Sequence, residues 1–121
     1  MAANERSTAE VIRRFNEAFQ KHDPSLLPPL VAADCVLENT TPAPNGARYV
    51  GREACLAVWQ GIAANRAASF DLEDVIAMGD RAVIFWRYRW GNDDASSVRG
   101  VNLMRVRDGL VVEGRGYVKA P

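Results

Sequence analysis

Residues 84–90 read Ile-Phe-Trp-Arg-Tyr-Arg-Trp, four aromatic rings and two guanidinium groups within seven positions. Such a run supports two chemistries. Rings interleaved with cations stack nucleic-acid bases, whereas the same rings alternating along a strand build one wall of a pocket for an apolar molecule. Other reactive side chains are few. His22 is the only histidine and no CxxC or HExxH spacing occurs, so a metal would find little beyond carboxylates to bind it. The expectation is neither metal nor cofactor. His22 falls where a helix ends, a place that suits a cap on the helix C-terminus better than catalysis. Cys35 and Cys55 are the two cysteines, and in a cytoplasmic domain such a pair reads as buried thiols rather than a disulfide.

Charge separates the two chemistries of the aromatic run. Lys+Arg and Asp+Glu number 15 each, for a formal net charge of zero, whereas a phosphate-binding protein usually carries a basic excess. The cations are nearly all arginine, Lys21 and Lys119 excepted, a bias that suits ion-pair networks and interfaces. The start, MAANERSTAEV, has no signal-like apolar segment, and no run approaches the roughly 20 apolar residues of a membrane helix. The expectation is a cytoplasmic protein that binds neither membrane nor nucleic acid. With 121 residues the chain suits a single domain with one core.

The elements that must position these side chains follow from periodicity. Ser7 and Glu10 have capping-box spacing, and Val11, Ile12, Phe15, Ala18 and Phe19 then recur at helical intervals, predicting a helix over about 8–21. Glu10 with Arg14 and Glu17 with Lys21 decorate its wet face. Asp23-Pro24 opens a short second helix that Pro28 and Pro29 kink or shorten. Cys35–Asn39 reads as a first strand and residues 40–50 as a loop, after which Gly51 opens a third helix with Cys55, Val58, Trp59 and Ile62 on one face. The period then changes to two. Strands are predicted at about 69–78, 81–90, 97–107 and 110–119, joined by turns at Gly79-Asp80, 91–94 and Asp108-Gly109. Helices first and an antiparallel meander last predict an α+β domain.

Alternation assigns faces. Ile84, Trp86, Tyr88 and Trp90 share one side of their strand, Val98, Gly100, Asn102 and Met104 one side of the next, and Gly114, Gly116 and Val118 one side of the last. Large rings opposite glycines beneath covering helices predict a hollow. The aromatic run is therefore read as a pocket wall; the helices need the face a base-stacking platform would leave open. The other side mixes Phe85, Val101, Leu103 and Tyr117 with arginines, and Asp71 and Glu73 supply acid. That composition suits a homodimer interface. A solvated sheet face with scattered apolar residues is the alternative.

Three helices, a short strand, a meander, Asp34 to Asn39 as D-x-x-x-x-N, GREACLAVW and the closing MRVRDGLVVEGRGYVKA together resemble the SnoaL-like and ketosteroid-isomerase-like branch of the nuclear transport factor 2-like superfamily. The similarity covers about residues 8–119, the core of a single domain over 1–121. It implies a cone-shaped α+β barrel, three N-terminal helices on a curved and mostly antiparallel sheet, a cavity between them, and a homodimer through the outer sheet face. In the ketosteroid isomerases a helix-one tyrosine, two aspartates and a further tyrosine form the site. By register those places hold Phe15, Asn39, Asn102 and Trp59 in this chain. The inward aspartates of related cyclases and epoxide hydrolases fall at Gly114 and Gly116.

The candidate polar groups are thus Asn39 and Asn102, able to hydrogen-bond a carbonyl or hydroxyl of a bound molecule, or to pair with each other or with loop backbone. Glu38 points away on strict alternation; a β-bulge would turn it inward as a base. Phe15, Phe19, Trp59, Ile84, Trp86, Tyr88, Gly100, Met104, Gly116 and Val118 are the expected lining of a site for a small, apolar, oxygen-bearing molecule. Two functions fit: a cofactor-free isomerase, cyclase or hydrolase, or a non-catalytic binding protein.

Overall fold

The computed structural model describes residues 7–119. Helix α1 spans Thr8–Gln20, and the Ser7 hydroxyl accepts from the Glu10 backbone N–H at 3.2 Å. The capping box is only half made. The Glu10 carboxylate turns instead toward Arg14 at 3.4 Å, the partner its helical spacing offers. Glu17 takes both Arg13 and Lys21 at 3.6 Å. The apolar stripe Val11, Ile12, Phe15, Ala18 and Phe19 is buried as its period requires, and Asn16 is buried with it.

The expected second helix is two 3₁₀ turns, Pro24–Leu26 and Pro28–Leu30. Pro28 and Pro29 bring no N–H to an α-helical ladder, so the chain tightens into i→i+3 bonds, Leu27 N–H to the Pro24 carbonyl at 3.2 Å and Leu30 N–H to Leu27 at 2.9 Å. Helix α2 spans Arg52–Ala64 and buries Cys55, Leu56, Trp59 and Ala63. Arg52 ties the start of this helix to the carbonyls of Val31 (3.2 Å) and Pro28 (2.7 Å). His22 adopts a left-handed backbone (φ 52°) and its Nδ1–H donates to the Ala63 carbonyl at 3.0 Å. It therefore caps the end of α2, a long-range partner, rather than the helix it follows.

The strands are β1 (Val31–Glu38), β2 (Arg48–Val50), β3 (Ser69–Met78), β4 (Arg81–Arg89), β5 (Ser97–Arg107) and β6 (Leu110–Val118). They form one sheet in the order β2-β1-β6-β5-β4-β3, antiparallel except where β1 runs parallel to β6. With β2 and β3 as free edges the sheet curls around the helices without closing, so the barrel is open. Strand β1 begins four residues before the expected Cys35, because β6 pairs Val111 with Val31 across a bulge that ends at Val36. It stops at Glu38, which leaves Asn39 just past its end. Part of the predicted loop is β2, whose Tyr49 lies opposite Leu37. Strand β4 ends at Arg89, so Trp90 drops out of the inward set and is 54% exposed.

Helix α1 packs across β3, β4 and β5 while α2 packs on β1 and β2. Between them lies one core in which Val11, Ile12, Phe15, Leu27, Cys35 and Cys55 are sealed from solvent. Both cysteines are free thiols, with the Cys55 Sγ–H directed at the Cys35 carbonyl at 3.4 Å. Burial raises the pKa of both, and most strongly that of Cys35. Among the described residues no helix is long and apolar enough to cross a membrane, and no cluster of His, Cys, Asp and Glu has the grouping of a metal site.

Candidate ligand cavity

A cavity of about 270 Å³ opens between the helices and the concave sheet face. Its wall is a relay of rings. Trp59 of α2 meets Phe15 edge-on at 5.1 Å, Phe15 meets Phe19 at 5.0 Å, and Phe19 meets Phe70 of β3 at 5.7 Å. Phe70 in turn contacts Trp86 at 5.4 Å and Tyr88 at 4.7 Å on β4. These tilted and edge-on geometries hold the rings in place and leave an apolar surface facing inward.

The glycines on the concave face do more than leave space. A Cβ on Gly100 would stand 2.5 Å from the Trp86 ring, which lies directly across the strand pair, and one on Gly114 would stand 2.9 Å from Trp59. Each notch is filled by an indole. Gly100 and Met104 accordingly do not border the cavity: the Trp86 ring covers the first, and Met104, 1% exposed, is packed beneath. Gly116 plays another part, its missing side chain admitting Thr40 beside the Asn102 carboxamide. Phe15, Phe19, Trp59, Ile84, Trp86, Tyr88, Gly116 and Val118 all line the cavity.

Asn39, Asn102 and Glu38 border the same space. The two amides do not pair with each other. Asn102 Oδ1 accepts from the Trp86 indole N–H at 3.2 Å, and Asn39 Oδ1 accepts from the Thr40 backbone N–H at 2.9 Å. In both residues the carbonyl end is engaged within the protein. The bulge in β1 precedes Val36, and from there pairing runs regularly through Leu37 to Glu38. Leu37 is buried on the concave side, which leaves Glu38 in a convex row between Arg48 and Arg115. No bulge turns Glu38 inward; it borders the cavity where β1 and β6 run side by side.

Two polar lining residues of α1 carried no motif, and Thr40 and Arg115 also border the cavity. Asn16 lies on the buried stripe of α1, four residues after Ile12, and Gln20 follows one turn later at the exposed end. A polar residue at a core position of a helical pattern was the available signal. Phe70 was legible in the same way, through its alternation with Leu72.

The convex face is organised by charge. Arg99 pairs with Glu73 at 2.9 Å, Arg87 with Glu73 at 3.8 Å, and Arg89 with Asp71 at 2.5 Å. Arg115 takes Glu113 at 3.7 Å, not the acids of β3. The hydrogen bond that Arg89 donates to Asp71 raises the pKa of Arg89 further above its ordinary value. At the far end of the sheet Arg107 donates to Asp34 at 2.8 Å, which lowers that carboxyl below the usual range.

An open, mostly antiparallel sheet curled over two helices, with a ring-lined cavity between, is a nuclear transport factor 2-like α+β fold. The sequence profile of the SnoaL-like domain matches residues 12–114, and the chain belongs to that family. Among solved structures, a nuclear transport factor 2-like protein of unknown function from Mesorhizobium loti is 57% identical, with 93% of this chain and 91% of that one covered and a TM-score of 0.87. A loop-truncation variant of IdmH is 27% identical over 93% of each chain, TM-score 0.73. A Cytophaga hutchinsonii protein of the same fold is 10% identical over 98% and 95%, TM-score 0.73, a likeness of fold alone. No curated protein matches the sequence significantly.

Proposed function

We propose that this protein binds a small, planar, largely apolar molecule carrying oxygen, held in the cavity between α1, α2 and the concave sheet face. The observation that supports this most is the continuous ring wall from Trp59 to Tyr88, set beside amides whose carbonyl ends are already engaged. Apolar surface supplies affinity and a few placed donors orient the ligand. A cytoplasmic setting fits the two free thiols, and a homodimer through the convex face fits its strip of Val83, Phe85, Val101 and Leu103 between ion pairs.

Binding without turnover is the form the site favours. Proton abstraction beside a carbonyl needs a base and a strong donor at the enolate oxygen; the places a ketosteroid isomerase would use hold Asn39, Asn102 and Phe15. A cofactor-free isomerase, cyclase or hydrolase is the second reading, favoured by one feature, that Glu38 borders the cavity. The test is titration of a Trp90→Phe variant with 2-acetylnaphthalene, so that emission reports the buried Trp59 and Trp86. Saturable quenching that is nearly independent of salt is expected; a steep loss of affinity with salt would instead point to nucleic acid. For the second reading, isomerisation of a β,γ-unsaturated ketone that vanishes in Glu38→Gln while binding persists would establish catalysis.

A further inference from the structure

Asn16 is 8% exposed, borders the cavity, and its Nδ2 is sealed from solvent without a hydrogen-bond partner among the described residues. That is an expensive way to fill the position. Asparagine is a poor helix former in mid-helix, and a buried amide N–H without an acceptor loses its water and gains nothing in return. Leucine would continue the stripe of Ile12, Phe15 and Phe19 at no such cost. The neighbours indicate what the amide is for. Phe15 and Phe19 flank it on the same helix and form part of the ring wall, so a planar molecule lying on those rings brings its edge to Asn16.

The other polar groups narrow the chemistry. Asn39 and Asn102 have committed their carbonyl oxygens to Thr40 N–H and Trp86 N–H, which leaves their NH₂ groups to face a ligand. Asn16, Asn39 and Asn102 thus offer donors, Gln20 at the open end of α1 and the Arg115 guanidinium add more, and Glu38, on its convex row, is the only carboxylate among the described lining residues. Such a site selects an acceptor. We infer that Asn16 is the polar anchor of the helix wall, its carboxamide N–H donating to a carbonyl oxygen of the bound molecule, so that the cavity prefers aromatic ketones, quinones or lactones to hydrocarbons of the same shape. Rotation about the terminal side-chain bond, which is soft in asparagine, turns the sealed NH₂ toward the cavity. This inference rests on the small-molecule reading above and names its ligand class.

The experiment compares 2-acetylnaphthalene with 2-isopropenylnaphthalene, which replaces C=O by C=CH₂ at nearly constant shape, by emission titration of the Trp90→Phe protein and of the same protein carrying Asn16→Leu or Asn16→Ala. The ketone should bind the parent about three- to tenfold more tightly, the worth of one hydrogen bond. In both Asn16 variants the two probes should bind within about twofold of each other. Asn16→Leu should also melt a few degrees higher, since it removes an unsatisfied amide; should leucine fail to fold, alanine supplies the binding ratio. A ketone preference that survives in the variants overturns the assignment to Asn16, as does equal binding of both probes by the parent. Binding of neither probe removes the small-molecule reading and this inference with it.

Discussion

The two faces of the sheet are built from the same strands by opposite means. On the concave face, rings and glycines interlock: Trp86 lies over Gly100, Trp59 over Gly114, and Thr40 beside Gly116. Contacts between these rings and the glycine backbone are dispersion at van der Waals distance, where a misplaced methyl group is felt at once. On the convex face, arginines and carboxylates pair across strands around a half-buried apolar strip, and several partners are more than a third exposed. Such pairs are adjustable and individually weak. Shape is specified on one face and charge pattern on the other, so mutations of similar size should have unequal effects on the two.

The largest effect is expected where shape is tightest. Gly100→Val drives a side chain into occupied space, since a Cβ at this position would stand 2.5 Å from both the Trp86 ring and the Tyr117 carbonyl, and should cost about 3 kcal/mol of unfolding free energy in urea titrations. A stable, fully folded Gly100→Val protein would show that the concave face can repack. Next is the convex strip. Leu103→Glu should shift sedimentation from dimer to monomer, weakening association about 30-fold or more, while the monomer keeps its fold. A wild type that sediments at the mass of one chain would leave the convex face as ordinary solvated surface.

A third test uses pH. Burial raises the Cys35 thiol pKa in the folded state, so above the ordinary thiol pKa of about 8.5 the unfolded chain loses a proton that the native chain retains. The native state then binds more protons, and stability falls as pH rises, by up to about 1.4 kcal/mol per pH unit for this one group. Urea unfolding at successive pH values above 8 should show that fall, to which the buried Cys55 thiol adds, and Cys35→Ala should make it shallower even if its baseline is lower. An unchanged slope would mean that the thiol is solvated on the native protein. The smallest effect belongs to Glu73, which takes two arginines on the convex face. Glu73→Gln should cost about 0.5 kcal/mol, less at high salt; a much larger loss confined to the dimer would mean that the network is desolvated by a second copy.

Much of the arrangement was legible from residue type and spacing. Period-two alternation assigned Ile84, Trp86 and Tyr88 to one side and Phe85, Arg87 and Arg89 to the other, because successive side chains of a strand must point to opposite faces. The stripe from Val11 to Phe19 defined a buried helix for the same geometric reason. Local pattern reached its limit where partners come from far along the chain. Strand β1 starts at Val31 because Val111 pairs with it, Trp90 is exposed because β4 ends one residue earlier, and His22 caps a helix whose last turn lies 41 residues away. The contents of the cavity were settled in the same non-local way. A glycine opposite an aromatic reads as a hollow in sequence, yet whether the ring falls into that hollow, as at Gly100, depends on side-chain packing in three dimensions. Whether an amide is satisfied depends on which atoms surround it, so only the tertiary structure could distinguish Asn39 and Asn102, with their carbonyls engaged, from Asn16, whose NH₂ meets no acceptor among the described residues.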